Sequence, residues 1–140
     1  MSDNSDNLKK MLAIYQTDDI DWMNFFVTKR NPLTFHHIVP RSIGGKDVIS
    51  NGAILTRKAH DLLHLLEKIC PDAFIDLQNI FIQINMSCAH PDDETIEAID
   101  EILYHVFTQD KYPFFMDIDL TEYIKIYYHP ERKKMKIKRK

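Results

Sequence analysis

Cysteine is scarce in this 140-residue chain: Cys70 and Cys88 are the only two, and they form no CxxC pair. That pattern argues against a disulfide scaffold and against a cysteine-built zinc site, and it fits a reduced, intracellular (cytoplasmic) compartment. Long apolar runs are also missing. No stretch approaches the roughly 18–20 apolar residues of a membrane span, so no membrane partner is expected. The opening residues Met1–Asn7 are polar and acidic, without the basic and apolar regions of a secretory leader. They read as a disordered N-terminus.

What remains is an ordinary globular composition, 44% hydrophobic and 28% charged, in a length that suits one domain with a real core. The net charge of −3 conceals a partition. Residues 29–64 carry six basic and two acidic side chains, residues 65–130 three and thirteen, and residues 131–140 seven and one. Two basic zones therefore flank an acidic block, and the average charge says little about partners.

No internal repeat is present. Leu8–Gln16 reads as a short helix and Asp18–Thr28 as a second, with Thr17 as its N-cap; Asn31-Pro32 ends that segment. Leu33–Val39 is β-branched and aromatic and reads as a strand. Residues 40–51 form a loop around Gly44-Gly45, which reads as a turn requirement, and Gly52–Thr56 is a second strand. Arg57–Ile69 reads as a helix with Ala59, Leu62, Leu63, Leu65, Leu66 and Ile69 mostly toward the core. Pro71 opens another helix reaching about Met86, and Pro91 a further one with acids in its first turn. Tyr112–Tyr128 fits strand or helix, and the last ten residues read as a solvated basic tail. The domain expected is thus residues 8–130.

Four of the seven histidines crowd into the middle: His36-His37 at a strand end, then His60 and His64, with Asn51 between. His60 and His64 are four apart on the expected helix, so their rings share a face, a spacing that suits two ligands of one metal ion. The strand–loop–strand ahead of that helix can bring His36 or His37 against it. Adjacent strand residues point to opposite sides, so one can complete a metal site while the other acts as a base, since neutral imidazole takes a proton near physiological pH. Three protein ligands leave a coordination position open, as in a catalytic rather than a structural site.

At these residues the chain resembles the HNH endonuclease family: His36-His37-Ile-Val-Pro-Arg-Ser42, Gly44-Gly45, Asn51, Leu55, His60 and His64, with Asn fourteen after His37, His nine further and His four beyond that. The resemblance covers about Leu33–Leu66. It implies an α+β fold, a ββα-metal core at about 33–69 with flanking helices, and metal-dependent hydrolysis of DNA phosphodiester bonds with one divalent cation. It assigns His36 and His60 as metal ligands, His64 as the third histidine of the colicin-like branch, His37 as general base, and Asn51 as the residue that holds the loop and orients the base. The chain departs from many relatives in having no CxxC pairs, and it carries His36 where some have Asp. A three-histidine site favours zinc and other transition metals over magnesium, which leaves zinc, manganese and magnesium as the ions to separate.

Around this set, Arg41 reads either as a phosphate ligand or as a solvated loop residue. Arg57 and Lys58 oppose the dipole at the helix start, a local penalty that an approaching DNA phosphate would explain. His90, His105 and His129 lack local partners in sequence and read as satisfied core residues. The acidic helix at 92–101 reads as a solvated face or as a docking surface for a basic protein partner. The tail can clamp DNA through counterion release, bind RNA or aid solubility, and Tyr127 and Tyr128 before it can stack on bases or join the core. Two other readings fit the same residues: a non-catalytic nucleic-acid- or protein-binding module that keeps a metal for folding, and a nuclease subunit active only within a phage or defence assembly.

Overall fold

Leu33–His37 (β1) and Gly52–Thr56 (β2) pair antiparallel, with Leu33 opposite Thr56, His36 opposite Ala53 and His37 opposite Gly52. In the computed structural model, which describes residues 3–15, 19–89 and 91–127, this hairpin lies among five helices: α1 Asp3–Tyr15, α2 Arg57–Ile69, α3 Pro71–Ser87, α4 Asp93–Thr108 and α5 Thr121–Tyr127. The class is α+β, a ββα core with flanking helices, as expected. The tail 131–140, Thr17, Tyr128, His90 and His129 lie outside the described residues.

β1 stops two residues short of the expected Val39, because the next rungs come from elsewhere. Ile38 N–H donates to Asn51 O (2.8 Å), and Val39 N–H to the Asn51 side chain (2.9 Å). All five residues of β2 are buried, as its continuous apolar run requires. The chain then turns into α2 without a linker. Thr56 caps the helix, its hydroxyl accepting from Ala59 N–H. Ala59, Leu62, Leu63, Leu66 and Ile69 are buried at helical spacing, fixing the rotation of the helix on the sheet; Leu65 is only half-buried. Pro71 supplies the first position of α3, where its missing N–H costs nothing.

Three expectations are corrected. Asp18–Thr28 is no helix within its described part. Ile20 and Phe26 form an isolated antiparallel bridge, Asn24 takes a left-handed φ of 66°, and Asp21 Oδ1 accepts from Met23 N–H (2.8 Å) and Phe25 N–H (2.9 Å). A short acceptor side chain that bonds its own following backbone competes with helix formation. α1 starts at Asp3, so residues 3–7, read as disordered, are its first turns. α4 starts two residues after Pro91, because Asp92 is the cap and accepts from Thr95 N–H (2.9 Å). Among the described residues of the ambiguous 112–128 stretch, only 121–127 is helical, and Tyr127 is core, packed on Phe25 and Phe107.

Asp21 ties the parts together. Its second oxygen accepts from Thr56 N–H (2.6 Å), while Trp22 N–H donates to Ile54 O (2.9 Å). A buried carboxylate thus clips the 21–25 turn to the junction of β2 and α2. Burial pushes its pKa up to about 6 against the pull of these backbone bonds. Asp21→Ala leaves the N–H groups of Met23, Phe25 and Thr56 without their acceptor. Each orphaned buried donor costs about 1–3 kcal/mol, so urea denaturation should show a loss above about 2 kcal/mol; an unchanged midpoint would remove Asp21 from this role.

Candidate metal centre

Alternation along β1 separates the paired histidines. His36 points inward and is buried, 3% exposed, whereas His37 is half-buried. The antiparallel hairpin lays His36 against the first turns of α2. There His36 Nδ1 lies 3.3 Å from His60 Nε2, and the His60 and His64 rings stack with centroids 4.8 Å apart. One nitrogen from each of the three histidines lies within 4.8 Å of the others.

The donor set suits a transition-metal ion. Two nitrogens bound at about 2.0–2.1 Å in tetrahedral geometry stand about 3.3 Å apart, the separation between His36 and His60. Burial holds both rings neutral, which a ligand requires. It pushes His36 down to about 3, aided by His60 and His64 and opposed by the Gln78 bond. His60 falls to about 4, mainly through burial and then through His64 and Arg57. His64 is exposed, so the cluster opens to solvent on one side. Three histidine nitrogens without a carboxylate favour zinc or its neighbours over magnesium.

The loop from 38 to 51 sets the other wall. His37 Nε2 lies 2.5 Å from Asp47 Oδ1, and Arg41 Nε lies 3.7 Å from the same oxygen. Gly44 takes a φ of 98°, and a Cβ at Gly45 would stand 1.7 Å from Val39 O, so glycine permits this fold-back. Asn51 closes the loop: its side chain exchanges two bonds with Val39 and donates to Lys46 O (3.1 Å). A cleft of about 170 Å³ results, with His36, His37, Arg41, His60 and His64 all in its wall.

Three neighbours escape the motif. Thr34 Oγ1 contacts His60 Nδ1 (2.9 Å), Gln78 Oε1 contacts His36 Nε2 (2.8 Å), and Asp47 holds His37. Thr34 was findable, since it shares a strand face with His36, and Asp47 is the one acid in the 40–51 loop. Nothing local points to Gln78, forty-two residues after His36.

Arg57 and Lys58 stand apart from the cleft wall. Arg57 is exposed at the helix start. Lys58, about 200° around the helix from His60, is paired with Glu122 (2.5 Å) and lines a separate hollow with Arg30 and Lys125. A larger hollow of about 460 Å³, walled by Asp72, Asp76, Glu101 and His105, touches none of the four motif histidines. His105 does have partners, Glu101 (3.1 Å) and Asp110 (2.7 Å), which close only in the helix and its cap. Within the acidic helix, Asp100 is buried against Asn24 and Tyr127, so it is no part of a solvated face.

The lowered pKa values of His36 and His60 carry a pH signature. The unfolded chain takes up protons on these rings near pH 6.5 while the fold resists until about 4 and 3. Stability of chelated, metal-free protein should therefore fall as pH drops below about 6.5. Asp21, with its folded pKa raised to about 6, acts oppositely between about 3.8 and 6. The contribution of His36 is isolated by comparing wild type with His36→Asn in denaturant titrations from pH 3 to 8. The variant should show the shallower acid loss; equal slopes would contradict a buried neutral His36.

No curated protein and no solved structure matches this chain. No helix among the described residues is long and apolar enough to cross a membrane. Residues 23–64, which contain the hairpin, the loop and both helix histidines, match the family model described as HNH endonuclease, the family that the histidine spacing resembles.

Proposed function

We propose that this protein is a metal-dependent endonuclease that hydrolyses DNA phosphodiester bonds, with His36, His60 and His64 holding one divalent cation and His37 as general base. The observation that carries this reading is the shared cleft, which His36, His60, His64, His37 and Arg41 all line. The family match over the same residues supports DNA as substrate.

The chain's own groups divide the work. Asp47, a carboxylate, can only accept, so the short contact makes His37 Nε2 the donor. Nδ1 then keeps its lone pair and takes a proton from water as the water oxygen attacks phosphorus. Asp47 orients the ring and stabilises the imidazolium that forms. When bound, the cation supplies Lewis-acid stabilisation of charge on the leaving 3′ oxygen. Arg41, mostly exposed on the loop, reaches a non-bridging phosphate oxygen as a charge-assisted donor. Asn51 keeps the loop, and with it Asp47 and Arg41, at its place beside β1.

Plasmid nicking with zinc, manganese, nickel or magnesium added to chelated protein tests the activity, and native mass spectrometry tests the ion. One ion per chain is expected. His37→Ala should lose about 10²–10⁴-fold in rate with metal stoichiometry unchanged, and Asp47→Asn should lose less. His60→Ala should lose metal and thermal stability together, since a bound ion stabilises the fold by mass action. Metal binding with no cleavage, unchanged by His37→Ala, would instead make this a metal-stabilised binding module.

A further inference from the structure

We infer that Gln78, on α3 and outside the stretch matched by the family, is a positioning residue that selects which nitrogen of His36 faces the metal ion. The inference rests on the metal-centre reading above. Gln78 Nε2 donates to Ile38 O (2.6 Å), and the Ile38 peptide is itself held by its N–H bond to Asn51 O. An amide whose nitrogen is committed in this way presents its oxygen on the other side, and that oxygen meets His36 Nε2 at 2.8 Å. An amide oxygen only accepts. His36 Nε2 therefore carries the proton, and Nδ1 carries the lone pair.

Thr34 imposes the complementary choice on His60. Its single hydroxyl proton is used on Leu55 O (2.7 Å), so toward His60 Nδ1 it can only accept (2.9 Å). His60 keeps its proton on Nδ1 and its lone pair on Nε2. The result is two lone pairs, His36 Nδ1 and His60 Nε2, facing each other at 3.3 Å with no proton between them. That contact is repulsive by itself and is relieved by a cation placed between the nitrogens. The ion is thus held through unlike nitrogens, Nδ1 of His36 and Nε2 of His60. Hydrogen-bond partners on the far nitrogen orient a ligand ring and raise its basicity. Gln78 does so from a helix that contributes no ligand, which couples the docking of α3 on the core to the metal site.

The test uses full-length protein labelled with ¹⁵N in its imidazole rings. Long-range ¹H–¹⁵N correlation spectra of the zinc-loaded wild type should show His36 with Nε2 protonated and Nδ1 metal-bound, and His60 with the reverse. Zinc affinity, read by competition with a chelating dye, should weaken about 10–100-fold in Gln78→Leu. It should weaken less in Gln78→Glu, whose carboxylate still accepts from His36 Nε2 although it no longer donates to Ile38. Far-UV circular dichroism checks folding; should Gln78→Leu unfold, the wild-type spectrum and Gln78→Glu still decide. A wild-type His36 bound through Nε2, or unaltered affinity in folded Gln78→Leu, overturns the inference and leaves the metal centre standing. Failure of the wild type to bind zinc, manganese or nickel overturns the metal centre and Gln78's role with it.

Discussion

His36 stands opposite Ala53 in the β1–β2 ladder, and a slip of one residue in that pairing would exchange the faces of His36 and His37. The buried ring would turn to the loop and the loop-facing ring to the helix. Much of the surrounding structure serves to hold this register. Asn51 replaces the missing rung beyond His37 with its side chain. Gly52 lets the Phe35 ring lie against the strand end, where a Cβ would stand 2.3 Å from the ring. Trp22 hydrogen-bonds to Ile54, and Asp21 accepts from Thr56. The hairpin is anchored from the 21–25 turn at one end and from its own loop at the other.

With the register held, the direct passage from β2 into α2 does the rest. No linker separates Thr56 from Arg57, so the cap fixes where the first helical turn begins, and the buried apolar stripe fixes its rotation. His60 and His64 then face β1. Burying His36 and half-burying His60 in contact is costly unless their polar atoms find partners. Thr34 and Gln78 satisfy the far nitrogens of His60 and His36, while the near nitrogens are left to converge. The three histidines that could hold a metal ion are thus brought together by the protein's own hydrogen bonds.

The acidic second half illustrates how far charge counting can mislead. Asp92 is consumed as a helix cap, Asp100 is buried in a bond network with Asn24 and Tyr127, and Glu101 and Asp110 clasp His105. A good share of the expected acidic face is therefore structural. Likewise Lys58, basic in sequence and close to the histidines in number, is drawn by helix periodicity to the opposite side and held by Glu122.

The sequence by itself determined the hairpin, α2 and α3, since these rest on local patterns: a β-branched run, a buried apolar strand, helical periodicity and a proline at a helix start. It also brought out the histidine group as a candidate, because two histidines four apart on a helix and a pair at a strand end need only local geometry to be recognised. Tertiary structure decided what depends on partners distant in the chain. Asp18–Thr28 reads as a helix from a cap signal alone, on residues of low helix propensity, but Asp21 finds Thr56 thirty-five residues away and Asn24 finds Asp100, and those bonds outweigh a weak helical preference. The division of His36 from His37 follows from a register that alternation alone leaves two-fold ambiguous. Gln78 reaches His36 only because α3 packs back across the end of β1, and no periodicity records a contact between side chains forty-two residues apart.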